Sequence, residues 1–303
     1  VPSGVQLAPG GGLTLTGALV VDGGTIKLDG NYPTGDRNVA LGNQALDSGS
    51  LSGANNIAIG SSSLTSNTSG ANNVSVGYNS LFTNTTASGN TALGVSSMQS
   101  NESGENNVAV GLCAMCANTT GSNNVAIGRR SLDANTTGAG NTAVGQSALL
   151  LNTTASDNTA VGFVSLKDNT TGTRNSSVGC GALSNNTTAS SNTAIGFESS
   201  LSNTTGANNT AIGVYSMYYN TGGQKNVAVG ANSLGASGSG GSVSNNTAVG
   251  YSALQDATTG SNNVAVGCGA LQVNTTGTCN IAMGVHSLLA NTTGNNNVAI
   301  GFC

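Results

Sequence analysis

Apolar and polar residues recur along this chain at a fixed spacing. The phrase Asn-x-Ala-Val-Gly, or a close variant of it, returns sixteen times between Asn38 and Gly301. Thirteen of the fifteen intervals between successive glycines are 17 residues long, one is 18 and one is 20. We number each repeat from this glycine, which is position 0. A constant period of this length is typical of a solenoid, in which each repeat forms one coil.

The residue type depends on the position within the repeat. Position −4 is Asn and position −2 is Ala or Ser in every copy, while position −1 is always aliphatic or Met. Position +3 is Ala or Ser, and position +4 is Leu or Met in all copies but one, where it is Ser200. The alternation from −3 to −1 predicts a β-strand. The bulky residues at −1 and +4 are predicted to form the core, as in Ile59, Val76, Leu93, Leu64, Leu81 and Met98.

Residues that favour turns separate these apolar positions. Glycine at position 0 can adopt a positive φ. Asparagine at −4 and at +7 tolerates the left-handed region and can bond its own backbone. We therefore predict two strands of about five residues and two turns per repeat. The predicted corner residues include Gly60, Gly77, Gly94, Gly111, Gly128 and Gly145, with Asn56, Asn73, Asn90 and Asn107.

One repeat is too short to bury an apolar face unless it stacks on the next. The sequence thus predicts an all-β fold, a parallel β-solenoid of about sixteen coils over residues 38–303, in which repeated asparagines form amide ladders. A glycine-rich insertion lies at residues 235–245. Residues 1–37 hold all three prolines, fall outside the register and are predicted to form a β-rich cap or adaptor. The sequence begins at Val1 and stops within a repeat at Cys303, so we expect it to belong to a longer polypeptide.

The composition excludes several classes of protein. The chain has 46 glycines and 6% charged residues, with a net charge of −4. Glycine and asparagine at this level disfavour a helical fold, and glycine does not fall at every third residue as in collagen. The seven basic residues do not suit nucleic-acid binding. There is no apolar run long enough for membrane insertion.

Few residues suggest a catalytic or metal-binding site. Cys113-x-x-Cys116 has the spacing of a metal or redox pair but lacks a second pair, and we expect all the cysteines to be free thiols. His286 is the only histidine, and Glu102 and Glu105 are the closest pair of carboxylates. The frequent Asn-x-Thr triplets are interpreted as corner residues rather than glycosylation sites. We expect no enzymatic activity and no cofactor.

The repeats resemble a known family. Asn141-Thr142-Ala143-Val144-Gly145-Gln146-Ser147-Ala148-Leu149, followed by Asn152-Thr153-Thr154, resembles the repeats of tail fibres of tailed phages, especially cyanophages. The segment 24–33 resembles the lead-in to such repeats, and the repeat is also similar to the head repeats of trimeric autotransporter adhesins. The resemblance implies a trimeric fibre of the virion tail, used for host attachment. Its implied partners are other tail or baseplate proteins, bound through the N-terminal region, and a host surface glycan or receptor.

Energetics also favour a homo-oligomer, which we expect to be a trimer. Two buried aliphatic side chains per coil do not offset the entropy of ordering 17 residues, so burial between chains is expected. The small residues at −2 and +3 are predicted to allow close approach, and position −3 suits a half-buried interface.

Other functions stay open at this point. The runner-up is a bacterial surface adhesin or extracellular filament. An ice-binding protein and a polysaccharide depolymerase are weaker alternatives. Aromatic residues at +1 and +2 are interpreted either as lateral sugar-binding spots or as isolated surface residues: Tyr78, Phe163, Phe197, Tyr215 and Tyr251.

Overall fold

A computed structural model describes residues 36–235 and 241–302. These residues contain sixteen β-strands of three residues each, and no helix. The strands are β1 (Val39–Leu41), β2 (Ile57–Ile59), β3 (Val74–Val76), β4 (Thr91–Leu93), β5 (Val108–Val110), β6 (Val125–Ile127), β7 (Thr142–Val144), β8 (Thr159–Val161), β9 (Ser176–Val178), β10 (Thr193–Ile195), β11 (Thr210–Ile212), β12 (Val227–Val229), β13 (Thr247–Val249), β14 (Val264–Val266), β15 (Ile281–Met283) and β16 (Val298–Ile300).

All sixteen strands form one parallel sheet, in which each strand pairs with its neighbours in sequence. Thr142 of β7 lies opposite Thr159 of β8, which is one repeat further along the chain. The longer intervals keep this register, since Val39 faces Ile57 and Val227 faces Thr247. The two longer intervals therefore leave the register of the sheet unchanged. The predicted all-β, parallel β-solenoid with a 17-residue coil is confirmed.

Each coil contains one short strand rather than the two strands of five residues that we predicted. The rest of the coil is a succession of turns, in which positions −5, +2 and +4 adopt positive φ in addition to the glycine. These turns are held by backbone hydrogen bonds to adjacent coils, as between the N–H of Leu149 and the carbonyl of Ser165 at 3.1 Å. The backbone is thus paired along the stack even where no regular strand forms.

The glycine at position 0 forms the corner that follows the strand. Gly145 has a φ of 134°, and a Cβ atom added to it would collide with the carbonyl oxygen of Gly162 in the next coil. The other anchor glycines of the described coils have φ between 127° and 142°. Glycine is required here for two reasons, the backbone conformation and the close approach of the stacked coils.

The core of the coil is narrower than we predicted. Position +4 is buried, as expected for Leu64, Leu81 and Met98. The prediction that position −1 is also buried is wrong for the single chain, because Ile59 is 37% exposed, Leu93 is 46% exposed and Val76 is half-buried. In a three-residue strand only the central side chain points inward, and that residue is the small one at −2. The small residues at −2 and +3 therefore line the interior and do not provide an outer surface for chain contact.

Asparagines fill the remaining interior. The backbone N–H of Asn73 donates to Oδ1 of Asn56 at 3.0 Å, and its side-chain amide donates to the carbonyl of Ala87 at 2.9 Å. This pattern repeats through all the coils from Asn38 to Asn297. A second ladder runs through position +7, as from the Asn84 amide to Oδ1 of Asn67 at 2.9 Å.

These contacts change the interpretation of the asparagine at −4. Its side chain is buried, and within the described residues the left-handed conformation belongs to its predecessor, as in Asn55 before Asn56. The predicted amide ladder is confirmed, whereas the left-handed corner at −4 is wrong. Asparagine is needed there because it both donates and accepts hydrogen bonds inside the coil.

Two parts of the predicted organisation fall mostly outside the described residues. The solenoid belongs to the unit Asn31–Cys303. The proposed cap at 1–37 lies outside the described residues except for its last two. Of the insertion at 235–245, only residue 235 and residues 241–245 are described.

Candidate functional site

The outer face of the sheet is an unusual surface of the described part of the solenoid. It consists of the side chains at −3 and −1 of β1 to β16, which we call the outer stripe. These positions hold aliphatic residues, Met, Thr and one Ser, and none of them is charged. The solvent-facing side of a sheet is ordinarily polar. An uncharged face that runs the length of the sheet is a candidate contact surface.

The size of the outer stripe supports this interpretation. Strands in a sheet are spaced by about 4.8 Å, so sixteen of them extend for about 70 Å. With three residues per strand, the stripe is about 10 Å wide and covers roughly 700 Å². A soluble monomer rarely exposes an apolar patch beyond a few hundred Å². The area is close to the 800 Å² or so that each partner buries in a standard protein interface.

In the part of the chain that the structure describes, no third His, Cys, Asp or Glu joins the cysteine pair to form a set of metal ligands. Cys113 and Cys116 are half-buried free thiols, and Cys116 donates to Oε1 of Gln99 at 3.9 Å. Burial first, and then the neighbouring Cys113, raise the pKa of the Cys116 thiol to about 12. In the absence of a metal ion, the Cys116 thiol is therefore protonated at neutral pH and is a poor nucleophile. The five described cysteines are all free, as predicted, and Cys303 lies outside the described residues.

The other candidate residues are dispersed. His286 packs over Gly269 in the preceding coil. Glu102 and Glu105 are both exposed. Among the described residues, no three His, Cys, Asp or Glu side chains lie close enough together to hold a metal ion. The structure thus does not bring these residues into one site.

The Asn-Thr-Thr triplets that begin at position +7 start at a buried asparagine in the described coils, except at Asn291, which is half-buried. Asn135, which opens one of them, is fully buried, and its amide donates to Asn118 Oδ1 at 2.8 Å and to the carbonyl of Gly138 at 3.0 Å. The following Thr136 donates its hydroxyl to the carbonyl of Thr153 at 3.1 Å. A glycan cannot be attached to this nitrogen without opening the coil. The triplets therefore have a structural role.

Four aromatic side chains meet on one side of the solenoid. Phe197 and Tyr215 have ring centroids 5.5 Å apart, Tyr215 and Tyr218 are 5.4 Å apart, and Tyr218 and Tyr219 are 4.5 Å apart. We call these four residues the aromatic cluster. Burial first, and then the neighbouring Glu198 carboxylate, raise the pKa of the Tyr218 hydroxyl above its usual value.

Sequence reasoning found only half of this cluster. It selected Phe197 and Tyr215 as single exposed aromatics and did not consider Tyr218 and Tyr219. The stacking of coils brings residues 17 or 18 apart into contact, which was the signal available for Phe197 and Tyr215. In the described part of the chain, Tyr78, Phe163 and Tyr251 contact no other aromatic ring.

Comparisons with known proteins assign no family to this chain. No family model matches the sequence, and no curated protein matches it. In residues 36–235 and 241–302, the structure has no helix of the length and apolar character that a membrane span requires.

Proposed function

We propose that this chain is a structural segment of an extended fibre, a rigid shaft of the kind found in phage tail fibres that serves host attachment. The observation that carries the proposal is the in-register stacking of sixteen strands with a 17-residue period. Each coil adds about 4.8 Å of length and contacts only its neighbours. Each additional repeat therefore makes the chain longer along the solenoid axis.

Stiffness supports the same role. Adjacent coils are joined by backbone hydrogen bonds at the strand, at the corner and in the turns. Two buried asparagine ladders add side-chain bonds along the same axis. Bending the shaft requires stretching several of these bonds together, because all of them run between coils. This arrangement suits a load-bearing element.

Assembly into a homotrimer completes the proposal. Three copies would pack their outer stripes around an axis parallel to the solenoid, which buries the uncharged sheet faces. Because the repeats have a common period, every coil would meet the equivalent coil of its neighbours at the same height. The threefold symmetry comes from the resemblance to trimeric fibres, and the stripe supplies the interface.

The oligomer is tested by adding charge to the outer stripe. The double variant Val161→Lys and Val178→Lys places two cations on adjacent strands of the stripe. Thr154→Lys and Thr171→Lys form the matched control, because these residues are exposed at position +9 of adjacent coils. Analytical ultracentrifugation should give a trimer for the parent and the control, and smaller species for the stripe variant.

Two results would contradict this assembly. A folded monomer of the unaltered chain would exclude the homotrimer. A stripe variant that stays trimeric would place the interface on another face.

A second candidate function is a bacterial surface adhesin or filament that binds through its side. The exposed aromatic cluster on the lateral surface favours it. Immunogold labelling with an antibody against the solenoid separates the two candidates. Labelled fibres on phage particles support the tail fibre, and label on the bacterial surface alone supports the adhesin.

A further inference from the structure

The aromatic cluster lies where the repeat departs from its consensus. Glu198 and Ser200 occupy the coil below Tyr215, and the lengthened repeat that begins after Gly230 lies above it. Ser200 replaces the usual Leu or Met at +4, and its buried hydroxyl has no hydrogen-bond partner. The +7 ladder also stops at Asn203, whose Oδ1 has no partner. This part of the solenoid is thus specialised, whereas the preceding coils are nearly uniform.

The rings hold each other in fixed orientations. The three contacts are edge-to-face, with interplanar angles of 84°, 78° and 79°. This geometry is favourable for aromatic pairs and limits the rotation of each ring. Phe197, Tyr215 and Tyr219 nevertheless stay 42%, 39% and 37% exposed. The cluster is therefore an ordered apolar surface in contact with solvent.

A glycine borders this surface on one side. Tyr215 occupies position +2, where the first coil below has Glu198 and the second coil below has Gly181. At position +5, Tyr218 is followed by Gly235 of the coil above, and the N–H of Tyr219 donates to the carbonyl of Gly235 at 3.3 Å. Because glycine has no side chain, nothing at the equivalent position of the coil above covers Tyr218.

The polar groups of the cluster are hydroxyls and one carboxylate. Tyr215, Tyr218 and Tyr219 each carry a phenolic hydroxyl, which both donates and accepts hydrogen bonds. The Glu198 carboxylate beside Tyr218 is a further acceptor. The two basic residues nearest in sequence, Arg174 and Lys225, occupy position −5, at a different corner of the coil. The charge at the cluster does not suit an anionic ligand.

We propose that the aromatic cluster binds a pyranose ring of a neutral glycan. A pyranose has an apolar face of C–H groups and a rim of hydroxyls. The apolar face packs on an exposed aromatic ring, while the rim meets the tyrosine hydroxyls and Glu198. This site is independent of the proposed fibre role, because it is formed within a single chain.

The ring geometry favours a sugar over a quaternary ammonium ion. An aromatic cage for such a cation surrounds it with several ring faces. Here each ring places its edge against the face of its neighbour, with centroids 4.5 to 5.5 Å apart, so the rings fill the space between them. The cluster presents a platform rather than a cage.

The proposal is tested with the full chain and a panel of neutral oligosaccharides of glucose, galactose, mannose and N-acetylglucosamine. Saturation-transfer NMR identifies a binding sugar, and titration gives its affinity. Tyr215→Ala and Tyr219→Ala should each weaken binding by about tenfold or more, as expected for a central aromatic contact. Phe163→Ala and Tyr251→Ala are matched controls at exposed rings without an aromatic partner, and they should bind like the parent. Circular dichroism checks that every variant stays folded.

Several outcomes would overturn the site. These are the absence of binding to the whole panel, binding that survives both cluster variants, and an equal loss in the control variants. Binding of phosphocholine in place of any sugar would assign the cluster to cation recognition instead.

Discussion

Single residues in this fold are selected by backbone conformation as much as by hydrophobicity. Position +4 is buried and also left-handed, with a φ of 51° at Leu149 and 52° at Met115. A β-branched side chain is strained in this region, whereas Leu and Met are unbranched at Cβ. This explains why +4 is never Val or Ile, although position −1, which lies in a strand, is rich in both.

Ser200 is the exception at this position and offers a stabilising change. Its hydroxyl is buried without a partner, which costs roughly 1–3 kcal/mol. Replacing Ser200 by Leu should raise the free energy of unfolding by about 1–3 kcal/mol, because it restores the apolar column between Leu183 and Met217. Thermal unfolding measures the change. The reciprocal variant Leu183→Ser should be destabilising, and a destabilised Ser200→Leu chain would show that the column has no room there.

A substitution of Gly145 tests the role of glycine at the corner that follows the strand. Gly145→Ala should lower the free energy of unfolding by about 1–3 kcal/mol through backbone strain, with a further loss from the collision with Gly162. Gly49→Ala is the comparison variant, because Gly49 also has a positive φ, of 69°, but a Cβ atom added to it would meet no atom within 4 Å. Chemical denaturation compares the two variants. Equal stability of both would contradict the role assigned to the corner glycine.

At the scale of the element, the coil depends on side-chain hydrogen bonds in place of a thick apolar core. One strand of three residues contributes little pairing by itself. The side chain of the asparagine at −4 makes two kinds of contact. Its Oδ1 accepts from the backbone N–H of the equivalent asparagine in the next coil, and its amide donates to the backbone carbonyl at +10. That carbonyl also accepts from the asparagine at +7, as Ala87 does from Asn84 at 3.1 Å. Each coil is therefore closed by polar contacts across its interior.

Removal of one ladder residue should be costly. Asn141→Ala takes away the acceptor for the Asn158 N–H and the donor to the Ala155 carbonyl, both of which are buried. We expect a loss of about 1–3 kcal/mol, because the buried Asn158 N–H is left unpaired, whereas the Ala155 carbonyl keeps its bond from the Asn152 amide at 3.0 Å. Asn123→Gly is the control, since Asn123 is exposed and left-handed and glycine accepts that conformation. Hydrogen exchange should show faster exchange at Asn158 in the first variant only, and unchanged protection there would argue against the ladder.

Sequence reasoning reached the period, the parallel stack, the corner glycine and the amide ladder, since each of these depends on repetition alone. It assigned the wrong side of the strand to the core. The alternation from −3 to −1 shows which residues share a face, but not which face is inside. We chose the bulky residues, as at Ile59, whereas the space beside the asparagines and Leu64 admits only Ala or Ser. Half of the aromatic cluster was missed because Tyr218 and Tyr219 occupy positions +5 and +6, where no repeat pattern exists.

At the scale of the whole solenoid unit, charge contributes little to cohesion. Among the described residues there are three ion pairs, Asp36–Arg37, Arg130–Asp133 and Lys167–Asp168, and all involve surface side chains. Exposed pairs of this kind are worth about 0–1 kcal/mol. Cohesion comes instead from hydrogen bonds between coils and from the apolar column at +4.

Ionic strength should therefore have little effect on stability. We expect the Tm to change by less than about 2 °C when NaCl is raised from about 0.01 to about 1 M, because salt screens only the ion pairs at the surface. Differential scanning calorimetry on the full chain measures this. A large drop in Tm at high salt would mean that electrostatic contacts, within or between chains, matter more than the structure indicates.

The uniform period has a consequence for inheritance. Loss or duplication of the DNA that encodes one repeat would leave the flanking coils facing partners equivalent to those they had before. The length of the solenoid could then vary between descendants in steps of a single coil, without any change of sequence elsewhere in the gene. Coils that carry the aromatic cluster are the exception, because their neighbours differ from one another and cannot be exchanged freely.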